Sequence, residues 1–458
     1  MSSMTTLPVV HPHAAGLDIG KTEIYAAVPP TADPQPVRVF GTFTPDLHAL
    51  ADWLVACGIT TVAIESTGVY WIPVHEVLEA RGLQVCLVNA SHIQRVPGRK
   101  SDFQDCEWLR QLHSLGLLAA SFRPDAEMVT LRAYLRHRAE LIQHRAPHIL
   151  HLQKALRQMN LQLDSVLTDI TGQTGLAILR AILAGERDPV KLAQLRHPNC
   201  HSPEETIAKA LTGTWRAEHL FVLKQAMALF DFYTTQIVEC DAEIVRCFSV
   251  IRPRFTPPAE PVITAESVPG PTVTARRKSA THSTHSKNAP AGNIRAEILR
   301  ITAVDLCAVH GISASIAQTV LSEIGTDMSR WPTVKHFCSW LRLAPRNDIS
   351  GGKVLKSRTL PHQHRAAQAF RLAAQAVSRA DCALGAFYRR LRARLGPQQA
   401  LVATAHKLAR IVYFMLKEHQ PYQDRGAEAY NTRYREQEVK SLQRKAAKLG
   451  FTLAAKAA

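Results

Sequence analysis

The stretch AAGLDIGKTEIYAAVP, residues 14–29, decides the fold. It reads as two short β-strands separated by a turn at Gly20-Lys21, and VRVFGTF (37–43) adds a third strand. Pro45 then opens a helix that carries Leu47, Leu50, Trp53 and Leu54 at helical spacing. TTVAIES (60–66) is a short buried strand, a helix follows through Val74, Val77 and Leu78, and LQVCLVN (83–89) is the next strand. After the polar loop ASHIQRVPGRK (90–100), a helix starts near Ser101, whose hydroxyl is placed to cap it, and Trp108, Leu109 and Leu112 continue it. Three strands in a row, then alternating helix and strand, predict an α/β sheet with an antiparallel start.

Outward from this block the pattern changes. Met128, Leu131, Leu135, Ile142, Ile149, Leu152, Leu156, Met159 and Leu163 follow a heptad rule, with Arg138 and Arg145 at two seam positions and Pro147 expected to interrupt the helix. Leu220, Leu223, Met227, Phe230, Ile237 and Ile244 keep the same phase, which points to an antiparallel coiled coil or a dimerising bundle; two ordinary core helices would give the same periodicity. From Arg252 to Asn293 the chain turns rich in Pro, Ser and Thr, a solvated linker. A mostly helical region follows. It begins with LCAVHGISASIAQTVLSEIG (306–325), where Gly311 is expected to separate two short helices whose backbone N–H groups could face phosphates. Residues 433–448 read as a basic helix.

Composition narrows the function. The 458 residues carry 55 Lys and Arg against 38 Asp and Glu, a formal net charge of +17, and a hydrophobic fraction of 46%. That excludes a disordered chain and points to a polyanionic partner. The charge is uneven: the balance is −4 over residues 1–122, +5 over 123–293 and +16 over 294–458. No apolar run is long enough to span a bilayer and no export signal opens the sequence, so the expected location is cytoplasmic, with no membrane partner. The nine Cys are scattered without a CxxC pair, so they read as reduced thiols rather than a disulfide framework or zinc site.

Four carboxylates stand where strands end or helices begin. Asp18 lies at the end of the first strand and Glu65 at the end of TTVAIES, while Asp102 and Asp105 are spaced i,i+3 on one helix face. Such a group repels itself unless a cation neutralises it. Mg²⁺ is the usual remedy, and two ions about 4 Å apart can clamp the attacking and leaving oxygens of a phosphoryl transfer. Far downstream, Asp348-Ile349-Ser350-Gly351-Gly352-Lys353 offers an exposed hydroxyl on permissive backbone, with Lys353, Lys356 and Arg358 supplying charge for a phosphate. Taken alone, each carboxylate could be a cap or a surface group, and ISGGK a simple surface turn.

The segments GLDIGKTEIYAAV, AIESTGVYW, LVNASHIQRVPGRKSDFQDCEWLRQL and LRLAPRNDISGGKVLKSRTL resemble the insertion-sequence-110 family of DEDD transposases. The resemblance implies an RNase H-like (RuvC-like) α/β nuclease domain over 1–122, an α-helical coiled-coil middle over 123–251 and a linker over 252–293. It further implies a mainly α-helical C-terminal transposase domain over 294–425 and a basic helical tail over 426–458. On this resemblance Asp18, Glu65, Asp102 and Asp105 are the Mg²⁺-binding tetrad and Ser350 is the nucleophile, with the two domains required to meet. The partners implied are donor and target DNA, a structured guide RNA and further copies of the chain, as a dimer or tetramer, nucleoid-associated when acting. One departure stands out: family members follow the serine patch with a Ser-Lys-x-Gly turn, whereas here Ser357-Arg358-Thr359-Leu360-Pro361-His362 contains no Gly. A RuvC-like junction nuclease without a covalent serine intermediate is the nearest alternative, and GLDIGKT also resembles the first phosphate loop of the sugar-kinase and actin superfamily.

Overall fold

The computed structural model describes residues 8–66, 68–89, 101–253, 288–359 and 364–454. The loop 90–100, most of the linker (254–287), and Pro361 with His362 lie outside the described residues. The chain divides into two compact units, Met1–Arg123 and Pro124–Ala458.

The first unit is a five-stranded sheet of β1 (Ala14–Ile19), β2 (Glu23–Ala27), β3 (Val37–Gly41), β4 (Thr61–Glu65) and β5 (Gln84–Val88), in the order β3-β2-β1-β4-β5. β1 pairs antiparallel with β2, and β2 with β3; β4 runs parallel to β1 and β5 parallel to β4. This is the antiparallel start expected from the sequence, and a mixed sheet of this kind agrees with an RNase H-like domain. Among the described residues the sheet is accompanied by helices α1 (Thr44–Ala56), α2 (Trp71–Ala80) and α3 (Asp102–Ser114). Pro45 sits in the first turn of α1, where its missing N–H costs nothing. Ser101 caps α3, its hydroxyl accepting from the Gln104 amide.

Strand alternation sorts the two faces of the sheet. Ala15, Leu17 and Ile19 of β1, with Val62 and Ile64 of β4, pack with Leu50, Leu54, Val74 and Leu78 of α1 and α2. The opposite face carries Gly16, Asp18, Ala63 and Glu65, and α3 covers it: Leu109 packs on Ala63 and Val88. Thr61, on that same face, hydrogen-bonds the buried His113 of α3 at 2.9 Å. Burial lowers the pKa of His113 to about 4, which keeps its ring neutral.

Among its described residues the second unit is helical apart from one hairpin. Its helices are α4 (Ala126–Gln158), α5 (Leu163–Val166), α6 (Gln173–Ala184), α7 (Pro189–Gln194), α8 (Glu204–Ala210), α9 (Ala217–Val250), α10 (Ile294–Thr302), α11 (Ala314–Ile324) and α12 (Val334–Trp340). Strands β6 (Arg346–Ser350) and β7 (Lys353–Arg358) come next, then α13 (Arg365–Val377), α14 (Ala383–Leu395), α15 (Pro397–Glu418) and α16 (Gly426–Lys448). α4 and α9 pack against each other within one chain. Tyr134 and Arg138, early in α4, meet Cys240 and Asp241, late in α9, while Arg145 and His148 meet Thr234 and Tyr233, nearer its start, so the helices are antiparallel.

The polar seam positions have a physical reason. The guanidinium of buried Arg138 binds both carboxylate oxygens of buried Asp241, at 2.6 and 3.0 Å, and donates to the Asn288 and Ala289 carbonyls. Arg145 donates to Thr234 Oγ1 and Asn288 Oδ1. Two expectations need correction. Pro147 does not interrupt α4, which runs unbroken through it; a proline removes one N–H bond from the ladder, and packing along the rest of a 33-residue helix holds the geometry. Gly311 does stand between two elements, but only the second, α11, is an α-helix, and Ser313 caps its N-terminus by accepting from the Ile316 amide. Leu306–Ala308 is a single 3-10 turn, and a Cβ on Gly311 would lie 2.5 Å from the Ala373 carbonyl of α13, so this turn is packed inward.

Candidate active site

Local backbone chemistry brings the carboxylates of the first unit together. Alternation along β1 and β4 puts Asp18 and Glu65 on the face that α3 covers, and they stand side by side, one step beyond the paired Leu17 and Ile64. On α3 the buried Cys106, Leu109 and His113 define the inward stripe, and Asp102 and Asp105 extend it into the first turn. There the free N–H groups of the helix end also favour negative charge. Gly16 sets how close α3 comes. A Cβ at this position would lie 2.3 Å from the Arg110 amide nitrogen and 2.4 Å from the Cys106 carbonyl, so only glycine lets the helix backbone seat on β1 two residues before Asp18.

The resulting field is readable at Asp18. Burial raises its pKa, and the charges of Asp102, Asp105 and Glu65 raise it further, to about 6 from an ordinary 3.8. The Ile19 amide is the opposing influence. Asp102 is exposed while Asp18, Glu65 and Asp105 are half-buried, so the cluster opens to solvent on one side. Four carboxylates gathered on the α3-covered face of the sheet are a donor set that fits a hard divalent ion taking oxygen ligands.

In the second unit, Ser350 ends β6 and pairs with Lys353 across a two-residue turn. Gly351 and Gly352 have φ of +55° and +75°, the left-handed pair that a tight hairpin turn requires. No atom lies within 4 Å of a Cβ built on either, so the two glycines serve the turn rather than a close contact. The register shifts between Asp348 and Ile349, because β7 holds one extra residue, Leu355, as a bulge. That bulge changes the phase of β7. Pairing places Arg346, Asp348 and Ser350 on one face, and their partners Arg358, Lys356 and Lys353 fall on the same face. Without the extra residue Lys353 and Lys356 would point to opposite sides. Every residue of both strands is exposed. The hairpin itself was not evident beforehand; two glycines between polar strands were its only signal. Gly16, a glycine two residues before a strand-end aspartate, was also overlooked.

Two family models match the chain. A transposase model of the DEDD IS110 type spans residues 15–161, and the Transposase IS116/IS110/IS902 family model spans residues 305–389. Together they cover just over half of the sequence. The chain belongs to the IS110 family of DEDD transposases. No curated protein matches it. The first match contains all four carboxylates of the sheet-and-helix cluster, and the second contains the hairpin with Ser350. Family membership makes DNA the substrate of this transposase and a divalent metal its general requirement. Among the described residues no helix is long and apolar enough to cross a membrane.

Another grouping looks like a metal site at first sight. One ligand atom each of His310, Cys382 and Asp424 lie within 4.8 Å of one another. Local bonds already account for it: Cys382 caps α14 by accepting from the Gly385 amide, and Asp424 accepts from the Ala383 and Gly426 amides while pairing with His310 at 3.3 Å. All nine cysteines are free thiols, and burial pushes that of Cys106 up to about 12.

Proposed function

We propose that this transposase cuts and exchanges DNA strands with two chemical centres, a Mg²⁺-binding tetrad of Asp18, Glu65, Asp102 and Asp105 and a serine nucleophile, Ser350. The observation that carries the reading is Asp18, a carboxyl held against the charge of three other carboxyls. A protein gains nothing structural from such an arrangement, and a divalent cation relieves it. Bound there, Mg²⁺, as one ion or a pair, supplies positive charge to a phosphate whose negative charge grows during displacement.

Ser350 Oγ forms a bond to the scissile phosphorus and gives its proton to a base, and the bond from phosphorus to one sugar oxygen breaks, that oxygen taking up a proton to leave as a free hydroxyl. A free sugar hydroxyl from another strand then attacks the phosphoserine, restoring the serine and resealing DNA. Lys353, Lys356 and Arg358, on the Ser350 face of the hairpin, hold the phosphate and its neighbours. The resemblance of the motifs supports site choice by a structured guide RNA that pairs with donor and target DNA, the protein gripping backbones while base pairing reads sequence. It likewise supports action as a dimer or tetramer, with the α4–α9 helix pair in an oligomerising role and the divisions at 122, 251, 293 and 425 as functional boundaries.

The test is a covalent adduct. Full-length protein is incubated with donor and target DNA and its copurified nucleic acid in Mg²⁺, then denatured and resolved. A protein–DNA band is expected from the wild type and absent from Ser350→Ala and Asp18→Asn, with DNA binding retained in both. Cleavage that persists in Ser350→Ala overturns the serine step and leaves a RuvC-like junction nuclease. Sequencing of the copurified nucleic acid should give one discrete RNA; its absence overturns the guide.

A further inference from the structure

A cavity of about 1080 Å³ in the second unit lies at the base of the hairpin, where Arg358 leaves β7 and meets α14 and α15. Its cations are Arg358, Lys407 and Arg410, its aromatic residues Phe387 and Phe414, and its amides Gln398 and Gln399. Among the described residues none that lines it is acidic. Behind the wall the charge stays unbalanced. Lys407 Nζ stands 4.3 Å from the centre of the Phe387 ring and Arg390 lies 3.9 Å over Tyr434, so aromatic faces, not carboxylates, are what these cations meet. Arg390 Nε is buried without a hydrogen-bond acceptor. Burial, then Arg390, Arg410 and Arg433, depress the pKa of Lys407, and burial with Arg410 does the same to His406. A pocket that concentrates cations without one acid is unfavourable on its own and is relieved by an anion.

We infer that this cavity is a nucleotide pocket, which takes a single unpaired nucleotide of the bound nucleic acid, with phosphate on Arg358, Lys407 and Arg410 and base against Phe387 and Phe414. Each component of the ligand has its counterpart: cations for the phosphate, aromatic faces for stacking, and glutamine amides for the edge of an unpaired base. A phosphate ion alone would not need the aromatic walls, and an intact duplex cannot offer an unstacked base to a cavity. Arg358 also lies in the row that faces with Ser350, so the pocket continues the line of charge assigned to the scissile strand. The inference rests on the reading of this chain as acting on nucleic acid, and adds that the nucleic acid it holds is locally opened.

The test uses the full-length protein and fluorescent duplexes that are flush or carry one unpaired 2-aminopurine nucleotide, in a DNA strand or an RNA strand. The opened probe should bind about tenfold tighter than the flush one, and its fluorescence should be quenched on binding. Phe414→Ala, at a residue 39% exposed, should erase both the preference and the quench while flush-duplex binding stays unchanged. Arg410→Gln should weaken the opened probe and lower its salt slope by about one. Comparison of the two strand types tells which polymer supplies the nucleotide. Equal affinity for flush and opened probes, or equal loss on both in Phe414→Ala, overturns the pocket even if the Ser350 adduct forms. Failure of the adduct with the preference intact overturns the serine chemistry alone.

Discussion

Replacing Asp18 by Asn should stabilise the metal-free protein while destroying its chemistry. The pKa of Asp18 rises from 3.8 to about 6 on folding. At about 1.4 kcal/mol per pH unit the two-unit rise corresponds to roughly 3 kcal/mol, and solvent screening at a half-exposed site reduces it to about 1–2 kcal/mol. The sign follows from proton binding. Below pH 3.8 the carboxyl is protonated folded or unfolded, and no penalty exists. Between 3.8 and about 6 the unfolded chain gives up the proton first, so stability falls as pH rises; above about 6 the full penalty applies. Asp18→Asn, a near-isosteric neutral change, removes the penalty. In EDTA at pH 7.5 the variant should melt roughly 3–6 °C above wild type, and at pH 3.5 the two should coincide. Added Mg²⁺ should raise the wild-type Tm and leave the variant nearly unmoved, because the tetrad has lost one of its four carboxylates. Thermal unfolding of both proteins in these three conditions checks this. A variant that melts below wild type in EDTA at pH 7.5, or one that Mg²⁺ stabilises as much as wild type, would refute the reasoning.

Other outcomes follow from the same structure. Gly16→Ala should force α3 off β1, costing about 2–4 kcal/mol and abolishing cleavage although no carboxylate is touched; unfolding and cleavage assays read both effects. Arg138→Leu should leave the buried Asp241 unpaired and destabilise the second unit by about 3–5 kcal/mol, whereas Arg138→Leu with Asp241→Leu should recover much of that loss in denaturant titrations. Gly351→Ala with Gly352→Ala should cost the hairpin about 2–4 kcal/mol through strained φ alone, since the added methyl groups meet open space, and should cut adduct formation while duplex binding persists.

Much of the first unit was readable because its physics is local. Alternation of apolar residues gave the strands, the consecutive strands gave an antiparallel start, and Ser101 announced α3 by its own side chain. What brings Asp18 and Asp102 to one place is not local: it depends on Gly16 meeting the backbone of a helix some ninety residues downstream, which no spacing rule records. The hairpin escaped for a different reason. β6 and β7 are exposed on both faces, so no buried side forces the alternation by which strands are recognised, and the bulge at Leu355 breaks what pattern there is. Pro147 misled because a single missing hydrogen bond was weighed without the partner helix that compensates it.

The Arg138 anchor also governs what the chain can tolerate between its two long helices and its C-terminal region. The Ile251 carbonyl is held by Arg300, the Asn288 and Ala289 carbonyls by Arg138, and Gly292 lies against Val245. The residues entering and leaving 254–287 are therefore both fastened along the last turns of α9. A span whose two ends are already clamped together pays little for its length: each doubling costs only about 0.6 kcal/mol of closure entropy. A short affinity handle inserted within 254–287 is therefore expected to leave the melting temperature of the chain nearly unchanged, since the contacts that hold both ends lie outside that span.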